Sequence, residues 1–65
     1  MFYFDDGILN IKRFIKISTL KSNKITFIFK SFVLEIIGIE LKVSSYYEEE
    51  AFVLGKIERI NILRD

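Results

Sequence analysis

The residues of this chain best equipped for chemistry are two acidic clusters, Asp5-Asp6 and Glu48-Glu49-Glu50. Grouped carboxylates hold hard cations such as calcium or magnesium, or serve as an acid–base pair. Neither cluster has the alternating ligand spacing of a calcium loop. Adjacent residues on a strand also point to opposite faces, which keeps neighbouring carboxylates from converging. Both clusters therefore read as solvated turns. Ser44 follows Lys42 by two residues in the manner of a Ser–Lys pair, and Ser18-Thr19 and Ser45 add hydroxyls. A conventional nucleophile–base dyad draws on histidine or cysteine, and the chain has neither. The usual zinc ligands are missing for the same reason. The three glycines, Gly7, Gly38 and Gly55, are too dispersed to form a phosphate-binding loop. The expectation is a protein that is not an enzyme, with no catalytic residue, no metal and no cofactor.

Binding to nucleic acid is the other chemistry to weigh. Small β barrels bind single strands by stacking bases on aromatics beside a basic groove. Lys24-Ile-Thr-Phe-Ile-Phe-Lys30 sets Phe27 and Phe29 between lysines, which is superficially such a platform. The alternation of the segment, however, puts both rings on the inward face with Ile25. Ten basic against nine acidic residues, a net charge of +1, also leave little phosphate affinity at physiological salt. A small single-stranded nucleic-acid-binding β-barrel is thus the alternative function, with core phenylalanines the preferred reading.

The elements that carry these residues are strands. Twelve isoleucines, three valines and ten aromatics stand against six leucines and one alanine, and branched and aromatic side chains suit a pleated surface. Ile8–Arg13 and Ile15–Leu20 read as the first two strands, with Ile15, Ile17 and Thr19 on one face and Leu20 on the other. Lys21-Ser22-Asn23 is a turn, Lys24–Lys30 a strand, and Lys30-Ser31 a tight hairpin into Phe32–Ile37. Gly38, inside an apolar run, signals a bulge or bend. Glu40–Tyr46 follows, then a polar corner at Tyr47–Glu50, then Ala51–Leu54 and Lys56–Leu63 divided by Gly55. A helix over Glu48–Arg59 is disfavoured by the central Gly55, which costs ~1 kcal/mol relative to alanine. The predicted fold is all-β, a small antiparallel meander or curved sheet of six or seven short strands. A short β-solenoid is the alternative. The 65 residues form a single β domain, with residues 1–7 a short lead-in.

A domain this small buries only ~60% of the surface its unfolded chain exposes, and chains of this size commonly add disulfides, a metal or a partner. Disulfides are excluded by the absence of cysteine. The chain is 51% hydrophobic, with a mean hydropathy of +0.30, so a sheet this small leaves apolar surface for a neighbour. The expectation is a homo-oligomer or a complex with a partner protein, formed through the exposed edges Ile8–Arg13 or Lys56–Leu63. No signal peptide is visible, because Asp5 and Asp6 interrupt the opening apolar residues. The greasiest window, Ile25–Ile39, contains Lys30 and Glu35 and is too short to be a membrane span. A cytoplasmic location is expected.

The spacing of the second half, FVLEIIG, IELKVSSYY, an acidic corner, then FVLGKIERINI, resembles the YabP/YqfC family of small sporulation proteins. Gly38, Leu41, Glu48–Glu50, Gly55, Ile57 and Ile60–Ile62 fit its pattern without a gap, and Leu9–Phe14 and Lys16–Leu20 fit its opening strands more loosely. Ser31 stands where that pattern often has glycine, and the polar lead-in is reduced to Met1–Gly7. The resemblance implies a sporulation protein on the mother-cell side of the forespore envelope. For the YqfC branch it also implies functional pairing with a membrane protein. No catalytic residue is carried over. Gly38 and Gly55 are expected to be structural, supplying backbone geometry that a Cβ would strain.

Overall fold

The computed structural model describes residues 2–47 and 50–64, and among these it is all-β. Six strands follow one another: β1 (Phe2–Asp5), β2 (Ile8–Lys12), β3 (Lys16–Lys21), β4 (Lys24–Ile28), β5 (Val33–Tyr47) and β6 (Glu50–Leu63). They form one open sheet in the order β1-β2-β6-β5-β4-β3. Every ladder is antiparallel, which rules out a parallel solenoid.

Residues 2–5, expected as a lead-in, are a strand. Asp6 and Gly7 both have positive φ, 56° and 79°. That is the geometry of a two-residue type I′ turn, whose twist matches that of the strands it joins. The dipeptide thus turns Phe2–Asp5 back onto Ile8–Ile11 in unbroken register.

The two long strands replace four shorter predicted ones, because Gly38 and Gly55 bend the chain without ending it. Fifteen extended residues would span ~50 Å, yet the longest dimension of the molecule is 27 Å. The β5–β6 hairpin therefore folds back on itself. Its ladder slips between Ile37 and Gly38, between Ile39 and Lys42, and between Val43 and Tyr46, and such bulges bend a strand and tighten its twist. Beyond the bend the hairpin meets different neighbours. Glu50–Val53 pairs with β2, whereas residues 33–37 pair with β4.

Three residues, 13–15, join β2 to β3, which are four places apart in the sheet. A flat sheet would need ~19 Å for that step, more than the ~14 Å the connection can reach. The bend closes this gap. Phe14 is carried inward to meet Phe27 edge-on at 4.9 Å, and the Ile15 amide donates to the Ile28 carbonyl at 2.6 Å.

Between the two halves lies one core. Leu9, Ile11, Ala51 and Val53 come from one side, Ile25, Phe27, Leu34 and Ile36 from the other, and Leu41 from the bend. Phe27, Leu9, Ile11, Ile25, Leu34, Ile36 and Val53 are fully buried, each contributing ~1.5–3 kcal/mol relative to exposure. The predicted facing of β4 holds, with Ile25, Phe27 and Phe29 all buried. In β3 it holds only in part. A bulge between Ile17 and Thr19 puts Leu20 opposite Ile25, on the same side as Ile17 opposite Phe27. The extra residue, Ser18, shifts the period by one.

Candidate interaction surface

The bend is held by backbone contacts that leave no room for side chains. A Cβ on Gly38 would collide with the Lys56 carbonyl and lie 3.1 Å from Ile57 Cα. Gly55 has φ +112°, and a Cβ there would sit 2.5 Å from the Glu40 carbonyl oxygen. Glu40 itself is left-handed at φ 52°, an uncommon state for a residue with a Cβ. The β3–β4 turn then braces the bulge. The Leu41 amide donates to Ser22 O at 2.7 Å and the Gly38 amide to Asn23 O at 3.2 Å. An open hollow of about 390 Å³ beside the bend is lined by Ile39, Glu40, Lys42, Leu54, Gly55 and Lys56. Its mixed charges favour no single sign of ligand.

The acidic clusters are described only in part. Asp5 ends β1 and Asp6 occupies the turn after it. Glu48 and Glu49 lie outside the described residues. Glu50 reaches Lys12, 3.6 Å away. Among the described residues no group of three or more potential ligands could hold a metal ion. Lys42 and Ser44 are exposed on β5, while Ser18 is the bulged residue of β3 and Thr19 follows it. Phe27 is fully buried and Phe29 stacks on Phe32 at 4.5 Å, so the rings between Lys24 and Lys30 form core, not a stacking platform.

One carboxylate on the outer face is well organised. Glu35 accepts from the Asn61 side-chain amide at 3.0 Å and pairs with Lys24 at 3.1 Å. These partners, Asn61 foremost and Lys24 next, hold its carboxyl below the ordinary value of 4.5. Thr26, Glu35 and Asn61 lie abreast on β4, β5 and β6, making a polar row that fixes the register of three strands.

The sheet leaves apolar groups and strand edges open. Tyr3, Phe4, Ile15, Leu20, Ile39, Ile62 and Leu63 are all large and exposed. Of the two predicted pairing edges, Ile8–Arg13 is corrected: β2 is flanked by β1 and β6 and offers no edge. The β1 strand that covers it lies within the expected lead-in, and Asp6-Gly7 is its hairpin signal. Residues 56–63 pair with β5 on one side, and among the described residues no strand covers the other. β1 and β3 end the sheet, and among the described residues no strand pairs with their outer edges.

These edges differ in character. β3 is interrupted by its bulge and carries exposed Lys16 and Lys21, features that discourage edge-to-edge pairing. The free side of β6 is blunted by Lys56, Glu58 and Arg59 and by a slip in register next to Ile57. β1 has no bulge, and its one charged residue, Asp5, stands at its end beside the turn. Its sequence is Phe-Tyr-Phe-Asp, its register is regular, and Tyr3 and Phe4 are 48% and 56% exposed.

No protein-family model, no curated protein and no solved structure matches this chain. The fold and its surface define a small, single-sheet antiparallel β domain with open edges.

Proposed function

We propose that this chain is a non-enzymatic contact module that acts by self-assembly or by docking on a partner protein. The observation that carries this reading is the apolar surface left beside unpaired strand edges, with Tyr3 and Phe4 about half exposed on β1. Exposed backbone donors and acceptors with flanking apolar groups are what strand addition uses: main-chain bonds supply affinity and side chains select the partner. The YabP/YqfC resemblance adds the setting, sporulation at the mother-cell side of the forespore envelope, with a membrane protein as the candidate partner. It rests on the spacing of Gly38, Leu41, Gly55 and Ile57. The tight backbone crossings at Gly38 and Gly55 give that spacing a physical reason. Among the described residues no helix is long and apolar enough to cross a membrane.

The test joins solution mass with genetics. Light scattering is expected to show mass above that of the 7.7 kDa chain, alone or with an added partner, and deletion is expected to impair sporulation. A strictly monomeric protein whose deletion leaves sporulation intact would overturn the reading.

A further inference from the structure

We infer that the partner of the β1 edge is a second copy of this chain, paired antiparallel about a two-fold axis through Tyr3. The inference rests on the contact-module reading above and names its interface. A two-fold axis normal to a sheet keeps every residue on its own face, so antiparallel self-pairing can oppose only residues of the same face. Centred on Tyr3, it sets Tyr3 against Tyr3 of the second copy, and Phe2 against Phe4 in both directions. The segment Phe2-Tyr3-Phe4 reads the same both ways, so every position meets an aromatic. A heterologous partner would gain nothing from that symmetry, whereas a second copy uses all of it.

The exposure pattern agrees. Phe2 and Phe4 sit opposite buried Ile11 and Leu9, on the core side of the sheet. Phe2 packs against the core, but Phe4 is 56% exposed because the sheet ends beside it. Pairing would place Phe2 of the second copy over that uncovered ring. On the other face Tyr3 lies opposite Asn10 with the Lys12 ammonium 5.9 Å from its ring centroid. Its own 48% exposure would be covered by its symmetry mate.

The area sets the strength. An aromatic side chain buries ~150–250 Å² when covered, so Tyr3 and Phe4 offer roughly 200 Å² per copy between them. Main-chain pairing and the rim add to this. The sum stays below the ~800 Å² per partner of a standard interface, in the range of weak, concentration-dependent association.

The chain contains no cysteine, so single thiols report the interface cleanly. Opposed Cα atoms in antiparallel strands lie ~4.5–5.5 Å apart, within the ~4.4–6.8 Å a disulfide spans. Under mild oxidation at about 100 µM, a concentration suited to a weak interface, Tyr3→Cys is expected to form a covalent dimer. Leu20→Cys on β3 and Leu63→Cys on β6, both at least as exposed, are expected to react at least about tenfold more slowly. In the unlabelled protein, Tyr3→Lys would oppose two lysines across the axis and is expected to weaken dimerisation about tenfold or more while leaving the circular dichroism unchanged. Dimers that cross-link through Leu63→Cys or Leu20→Cys instead would overturn the β1 assignment and leave the contact reading standing. Unchanged association in folded Tyr3→Lys would do the same. A chain monomeric at every concentration would overturn self-pairing, and the contact reading would then stand or fall on the partner and the deletion phenotype.

Discussion

Gly55 and Glu40 face each other across the bend, and both hold backbone conformations that a Cβ resists: φ is +112° at Gly55 and 52° at Glu40. Removing the Cβ at one of the pair is what lets the two chains cross. Alanine at Gly55 therefore meets strain and collision together, and alanine at Gly38 meets the Lys56 carbonyl. Each substitution is expected to cost about 3 kcal/mol or more, read from denaturant midpoints. Gly7 is a control, since its φ is +79° but nothing lies within 4 Å of a Cβ there. Gly7→Ala should cost only about 1 kcal/mol of backbone strain. Glu35 makes a second prediction at this scale. Its carboxyl is held below 4.5 by Asn61 and Lys24, so the charged form is favoured by folding. That contribution is fully present above the unfolded value and is lost as pH falls through the lowered folded one. Thermal melts of Glu35→Gln should be less pH-dependent than the parent below about pH 4.5. Equal slopes would show that the carboxylate contributes nothing.

At the level of elements, the type I′ turn at Asp6-Gly7 decides whether β1 exists. Proline at position 6 fixes φ near −65° and cannot reproduce the observed 56°, whereas asparagine is favoured in this turn type. Asp6→Pro is expected to detach β1, expose amides of β2 to hydrogen exchange and abolish the dimer. Asp6→Asn should leave all three properties intact. Because β1 is an edge strand joined only to β2, the rest of the sheet should survive its loss. The β2–β3 connection behaves differently. Phe14 fills the core beside Phe27, so this short crossover is part of the packing. Phe14→Ala or Phe27→Ala is expected to cost about 3–5 kcal/mol. Loss of oligonucleotide binding in a Phe27→Ala protein would therefore report unfolding and not a lost stacking site.

For the molecule as a whole, one folded sheet with a single core must supply the stability of 65 residues without a disulfide. Domains of this size are marginal, so association that covers β1 would add stability by mass action. The melting temperature is expected to rise with protein concentration in the parent and to be flat in Tyr3→Lys. Coincident curves for the two proteins would remove any role for that edge in stability. The near-balance of charge also predicts association that depends weakly on salt, in contrast to the steep loss expected of a phosphate-binding protein.

Local composition was enough to assign strands, since branched and aromatic residues dominate and the alternation of Ile25, Phe27 and Phe29 identifies a buried face. Gly38 and Gly55 were legible as backbone features because glycine within an apolar run has few other uses. The sequence could not show whether those glycines ended strands or bent them, because that depends on which distant backbone crosses each one. Nor could it show that Ser18 shifts Leu20 to the core side, since a bulge exists only relative to a partner strand. Strand order is decided by contacts far apart along the chain, above all β2 with β6. That pairing, with β1 on the other side, makes β2 an interior strand and leaves the free edge at Phe2–Asp5. Short-range chemistry thus determined that the chain is a sheet with few reactive groups. Long-range pairing alone decided which of its edges faces outward, because an edge is defined by the strand that does not pair with it.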